Sequence, residues 1–317
     1  MKIIIKIISG IIIFLVISGI INSIKNNIPK GVQNSNIENN QMGLSLEKKP
    51  IQPTVSSEPT KADLILRDIK YGSDARNTMN VFIPKGSKND TPFILFLHGG
   101  AWVSGDKNDI ALVQLALGME GVASAAMNYR YASDRVHYQE LMSDVNSAVR
   151  YIVGHGNDWN IDTNKITIGG ISAGAHMALL YAYHYDQEDS IRSVISLAGP
   201  TDLTNVDFLN GAILLKLING ANNMVGAKYE FGKPVPVQFK TASPVQYVKN
   251  IPTLIIHGTA DIVVPYTQAE LLNTTLQRKN YIHELMTIDG ANHDLGLSNQ
   301  VTAKKITDQV VNWVKKY

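Results

Sequence analysis

Cysteine is absent from all 317 residues, which excludes disulfides, thiolate metal sites, a cysteine nucleophile and a lipidated N-terminal cysteine. The compartment stays open, because a cysteine-free chain works in either redox environment. Net charge is scarce as well. The 29 basic side chains stand against 27 acidic ones, a formal +2, so nothing favours nucleic acid or an acidic polymer as partner. Neither G-x-x-x-x-G-K-[ST] nor G-x-G-x-x-G occurs, and Gly169-Gly170 lacks the third glycine of a dinucleotide loop. There is no H-E-x-x-H and no histidine paired with carboxylates at ligand spacing, so neither a metal nor a cofactor is expected. What remains is 44% hydrophobic and 18% charged, enough to bury a large core.

Long apolar runs are also rare, with one exception. Ile7 to Ile24 follows Lys2 and Lys6 and is broken only by Ser9, Gly10, Ser18, Gly19, Asn22 and Ser23. Residues 1–24 therefore read as an export signal or a membrane anchor. The run is long for a signal and barely long enough for a span. Ile21-Asn22-Ser23 is a poor cleavage site, which favours an uncleaved anchor. Residues 25–61 are polar and Asn-rich, with Pro29, Pro50, Pro53 and Pro59, and read as a linker. The folded domain is expected at 62–317, exported or tethered outside the cytoplasm.

Two strands, Ala62–Tyr71 and Thr78–Ile83, open this domain as an antiparallel pair. Short apolar runs then recur at Phe93–Leu97, Val122–Met127, Lys165–Ile168, Val194–Leu197, Thr253–Ile256 and Glu284–Ile288. Most are unbroken, as parallel strands covered on both faces should be. Helical patterns at Asp109–Met119, Tyr138–Val153, Ala173–Tyr185, Tyr266–Arg278 and Ala303–Lys316 separate or follow them. The fold class is thus α/β, a mostly parallel eight-stranded sheet with helices on both faces, and its active site belongs at the carboxyl ends of the strands. More than fifty residues separate Leu197 from Thr253, too many for a simple crossover. Leu209–Ile218 reads as a helix, and residues 203–248 as a small cap over the site; the alternative is one crossover helix plus an irregular loop.

Four places carry residue types suited to acyl transfer. The strand at Lys165–Ile168 runs through Gly170-Ile171-Ser172-Ala173-Gly174 into a helix, the setting of a nucleophile elbow with Ser172 at its tip. The strand Phe93–Leu97 ends in His98-Gly99-Gly100-Ala101-Trp102, where the N–H of Gly100 or Ala101, with that of Ala173, can hold a developing oxyanion. His98 reads as a brace for that loop. Asp261 follows the strand Thr253–Ile256 and is placed to orient a histidine, with Asp202 its rival. His293 lies in the loop Asp289-Gly290-Ala291-Asn292-His293 after the last strand. His137, His155, His184 and His283 read as surface or packing residues, His176 points away from the Ser172 hydroxyl, and His257 is tied to its turn. His293 is left as the base, in the chain order Ser, Asp, His.

With these features the chain resembles the α/β-hydrolase superfamily, in particular the carboxylesterase and hormone-sensitive-lipase-like branch with an H-G-G-x-W oxyanion loop, here His98–Trp102. Asn128-Tyr129-Arg130-Tyr131 is similar to that branch's D-Y-R segment, with Asn128 in place of Asp, and Ser243-Pro244 also looks familiar. The resemblance spans roughly Asp63 to Tyr317. It implies the α/β-hydrolase fold, Ser172 as nucleophile, His293 as base, Asp261 as orienting acid, and Gly100, Ala101 and Ala173 as oxyanion donors. Members hydrolyse esters, often short acyl or acetyl esters through an acyl-enzyme, and some are arylformamidases. A small-molecule ester is the expected partner, besides the membrane met by the N-terminal segment; the oligomeric state is left open. The rival readings are an exopeptidase or amidase related to prolyl oligopeptidase, and a non-catalytic binding protein on the same fold.

Overall fold

The computed structural model describes residues 62–317, so the anchor or signal expected at 1–24 and the linker at 25–61 lie outside the described residues. Eight strands form one sheet: β1 Leu64–Lys70, β2 Thr78–Ile83, β3 Phe93–Leu97, β4 Ala123–Met127, β5 Ile166–Ile171, β6 Ile191–Leu197, β7 Thr253–Gly258 and β8 His283–Ile288. Their spatial order is β1-β2-β4-β3-β5-β6-β7-β8, with β1–β2 and β2–β4 antiparallel and every other pair parallel.

The central strands are apolar without interruption because both faces are covered. In β3 all five residues are buried; Phe93, Leu95 and Leu97 join one core cluster and Ile94 and Phe96 the other. Helices α2 Tyr138–Gly154, α3 Ala173–Leu180 and α6 Thr267–Arg278 feed the first cluster. Helices α1 Ala111–Met119 and α7 Gln300–Lys316 feed the second. In α7 the buried positions Ala303, Ile306, Val310 and Val314 repeat at helical spacing, and the Asn299 side chain caps the first turn by accepting from Val301 and Thr302 N–H. At the far edge, β1 alternates half-buried and exposed positions, as a strand covered on one side should.

The helix expected over Leu209–Ile218 is instead two helices, α4 Val206–Leu214 and α5 Ile218–Val225. Leu217 N–H reaches back to Ala212 O at 2.7 Å, Lys216 N–H bonds Ile213 O at 3.0 Å, and Lys216 turns left-handed at φ +60°. This is a Schellman ending with lysine where glycine is usual, so the stop signal was missing from the sequence. A second expected helix, Ala173–Tyr185, is α-helical only to Leu180 and widens into a π turn over Tyr181–Tyr185.

The stretch between β6 and β7 is packed rather than irregular. Phe208, Leu209, Ala221 and Met224 join the main core, and His137, at the start of α2, donates from Nδ1 to Asn223 O at 2.7 Å. The base is closed by Ser243, whose hydroxyl donates to Phe239 O and accepts from Leu203 N–H, both at 2.8 Å.

The segment after β4 is anchored by charge. Asp144 on α2 accepts from Arg130 N–H at 2.9 Å and from its guanidinium at 2.8 to 3.1 Å, with its own side chain 4% exposed. Removing the carboxylate strips the Arg130 N–H of its acceptor and leaves the guanidinium only the Glu140 carbonyl, at 2.8 Å. Asp144→Ala should therefore cost about 3 kcal/mol, lowering Tm by roughly 6–12 °C in calorimetry.

Candidate active site

β5 passes into α3 with one residue, Ser172, between them. Ser172 sits at φ +56°, ψ −121°, a conformation that disfavours any residue with a Cβ and persists only where its surroundings impose it. The imposition is close packing. A Cβ on Gly174 would lie 2.2 Å from Leu97 O, and one on Gly170 would lie 2.4 Å from the Gly174 carbonyl carbon. Ser172 N–H donates to Leu197 O at 2.8 Å and its carbonyl accepts from His176 N–H at 3.1 Å, pinning the turn to β6 and to the first turn of α3.

The Ser172 hydroxyl lies 2.9 Å from His293 Nε2, and His293 Nδ1–H donates to Asp261 Oδ2 at 2.7 Å. Asp261 also caps its own turn: Oδ1 accepts from Val263 and Val264 N–H at 2.8 and 2.9 Å. His257 Nε2, which donates to Val264 O at 2.8 Å, comes within 3.3 Å of Asp261 Oδ2. Burial alone would raise the Asp261 pKa. The hydrogen bonds from His257 and His293, the charge on His293 and the Val264 amide outweigh it and hold the carboxyl well below the usual range. Asp261 is thus a fixed anion whose free edge orients one imidazole. Asp202, the rival, accepts from Thr204 N–H and its hydroxyl at 2.9 and 2.6 Å and bonds no histidine among the described residues.

The loop after β3 holds three consecutive positive φ angles: Gly100 +116°, Ala101 +49° and Trp102 +63°. Gly100 O accepts from Val103 and Ser104 N–H, which turns the loop back on itself. The N–H groups of Gly100, Ala101 and Ala173 bond no other group among the described residues, which leaves all three available to an anion. His98 is a brace, as expected. It is wholly buried, its Nδ1–H donates to Gly99 O at 2.7 Å, its ring stacks on Tyr129, and its Nε2 faces the Arg76 guanidinium at 3.5 Å. Asn128 has a reason to replace an acid: its amide donates to Asp106 Oδ2 at 2.8 Å, where a carboxylate would be repelled. Its Oδ1 meanwhile accepts from Lys107 N–H at 2.6 Å.

A pocket of about 30 Å3 opens beside Ser172, walled by Trp102, Phe208, Leu217, Ala221, Val263 and Val264. Phe208, Leu217 and Ala221 come from the stretch between β6 and β7, which sequence reading placed over the site without assigning residues. His176, set aside as pointing away from the hydroxyl, accepts from the Trp102 indole at 3.2 Å. No local pattern announces a bond that spans 74 positions.

The BD-FAE family model matches residues 79–276. This chain belongs to the BD-FAE family. The BD-FAE match takes in Gly100, Ala101, Ser172, Ala173 and Asp261 and ends before His293. Among curated relatives, a rice (Oryza sativa subsp. japonica) protein named a probable isoprenylcysteine alpha-carbonyl methylesterase is 25% identical over 72% of this BD-FAE chain and 58% of its own length. Esterase LipC of Mycobacterium tuberculosis is 27% identical over 64% of this chain and 53% of its own. The chain thus spans little more than half the length of these two relatives. A solved structure described as a truncated carbohydrate esterase from gut microbiota superposes with a TM-score of 0.64 at 20% identity, covering 81% of this chain and 99% of that one. The fold of this BD-FAE member is therefore the α/β-hydrolase fold, as the sequence resemblance implied.

Two enclosed histidines make stability depend on acidity. Burial lowers the pKa of His98 and of His176 from 6.5 to about 4, helped at His98 by Arg76 and Lys107. Above pH 6.5 both are neutral whether the chain is folded or not. Between 6.5 and about 4 the unfolded chain binds protons that the folded one refuses, so stability falls as pH falls, and below 4 these two contribute no further loss. Calorimetric Tm should drop steadily from pH 7 to pH 4.5; a flat profile would contradict this assignment.

Proposed function

We propose that this BD-FAE member is a serine carboxylesterase that hydrolyses short-chain acyl esters, acetyl esters included, through an acyl-enzyme. The observation that carries the reading is the hydrogen-bond chain from Ser172 Oγ through His293 to Asp261, at 2.9 and 2.7 Å, beside three unpartnered amides. Ser172 Oγ attacks the acyl carbonyl carbon while its proton passes to His293 Nε2. The carbonyl oxygen, now negative, is taken up by the N–H of Ala173 and by that of Gly100 or Ala101, where each donor is worth about 3–4 kcal/mol. Collapse expels the alcohol, which receives the proton from His293. Water then repeats the sequence on the acyl-enzyme and releases the acid. Asp261, ionised throughout, keeps the His293 proton on Nδ1 and stabilises the imidazolium.

The small size of the pocket beside Ser172 supports a short acyl group. About 30 Å3 is the room of two to three water molecules, enough for an acetyl or slightly longer tail. The curated relatives named above carry methylesterase and esterase names, which supports an ester over an amide bond. We also propose, from the apolar run Ile7 to Ile24 alone, that residues 1–24 tether the enzyme to a membrane. Sedimentation of the full chain with membranes, resistant to high salt, is the expected result.

The test is hydrolysis of p-nitrophenyl acetate, butyrate and octanoate. kcat/KM should fall in that order, aminoacyl anilides should be poor substrates, and Ser172→Ala should lower kcat by about 10^4-fold or more. Undiminished turnover by Ser172→Ala would defeat the mechanism, and anilides preferred over every ester would move the assignment to an amidase.

A further inference from the structure

His176 is enclosed in the core one turn along α3 from Ser172, and nothing in the proposed chemistry uses it. Both its ring nitrogens are engaged. Nδ1 lies 3.2 Å from the Trp102 indole nitrogen and Nε2 lies 2.8 Å from Ala242 O. An indole only donates and a carbonyl only accepts, so the proton sits on Nε2 and Nδ1 offers a lone pair. The two rings meet edge to face, centroids 5.2 Å apart.

The three parts joined here are those that must keep register during acyl transfer. Trp102 ends the oxyanion loop and forms a wall of the acyl pocket. His176 rides on the helix that begins at the nucleophile. Ala242 lies at the base of the stretch whose helices cover the pocket. Trp102 and its neighbour Ala101 both hold left-handed φ, a conformation costing roughly 1–3 kcal/mol per residue unless external contacts impose it. At Trp102 the polar contacts are the indole bond to His176 and the Ala132 N–H bond to Trp102 O at 2.8 Å. From the other side α5 presses on the loop: a Cβ on Gly220 would lie 2.3 Å from Ala101 O.

We propose that His176 is a positioning residue for ester hydrolysis: through its bond to the Trp102 indole it holds the Gly100–Ala101 amides and the acyl-pocket wall in register with Ser172. The proposal rests on the esterase reading. It requires only one acceptor and one donor at the ring positions, which a glutamine amide also supplies, and it requires no proton transfer by His176.

The experiment compares wild type, His176→Leu, His176→Gln, Trp102→Phe and the double variant His176→Leu/Trp102→Phe as full chains, on p-nitrophenyl acetate and butyrate, with Tm measured alongside. His176→Leu should lower kcat on acetate about 10- to 100-fold with KM little changed, and should narrow the preference for acetate over butyrate. His176→Gln should recover most of both losses. The double variant should be no slower than Trp102→Phe, because the two side chains act as one unit. Wild-type kcat and chain-length preference in His176→Leu, with only Tm lowered, would overturn the proposal, as would fully additive losses in the double variant. If His176→Leu does not fold, Trp102→Phe decides alone: it must show the kcat loss and altered preference, and wild-type kinetics refute it. A wild type without esterase activity would instead defeat the underlying functional reading. In that case the proton NMR signal of the Trp102 indole N–H, assigned by its loss in Trp102→Phe, must move upfield in His176→Leu, which removes the acceptor; an unmoved signal overturns the bond itself.

Discussion

The candidate site depends on how closely α3 can approach β3 and β5. With Gly174 against the Leu97 and His98 carbonyls and Gly170 against Gly174, no side chain separates helix from sheet at the point where Ser172 stands. That contact forces the serine into its left-handed conformation and lifts the hydroxyl clear of the strand ends. It also brings the loop after β3 alongside, since a Cβ on Gly99 would come within 3.4 Å of Ser172 Cβ. Ser172, Ala173 and Ala101 line one small space because two elements touch backbone to backbone.

Around that contact the polar groups are assigned almost without redundancy. Asp261 spends one oxygen on its own turn and the other on imidazole nitrogens, so it both shapes the loop after β7 and orients His293. One carboxylate serves as both turn cap and orienting acid. His98 and His176 brace the oxyanion loop from opposite ends, one through Gly99 O and the other through the indole of Trp102. Both are kept neutral by burial, which suits groups that must hold a fixed tautomer rather than exchange protons.

Much of this was legible in the sequence because it rests on local signals. Unbroken apolar runs located the strands, and G-x-S-x-G at a strand–helix junction located Ser172. The loops after the last two strands held an acid and an imidazole that the structure brings within 2.7 Å. What escaped was of two kinds. The end of α4 uses Lys216 where the usual signal is glycine, so the break could be seen only through its hydrogen bonds. The bond from Trp102 to His176 and the pocket walls Phe208 and Leu217 join residues far apart in the chain, and no spacing encodes them.

The glycine at 220 has a consequence for how the site could be remodelled. Because α5 meets the Ala101 carbonyl with no intervening atoms, the segment between β6 and β7 is not an independent cover that can be exchanged for another. Displacing it removes one of the walls that confine Ala101 to its backbone conformation. Substrate range and oxyanion geometry are therefore coupled traits here: a change that widens the acyl space from this side also disturbs the amides that receive the negative charge. Widening from the Val263–Val264 side leaves that contact in place.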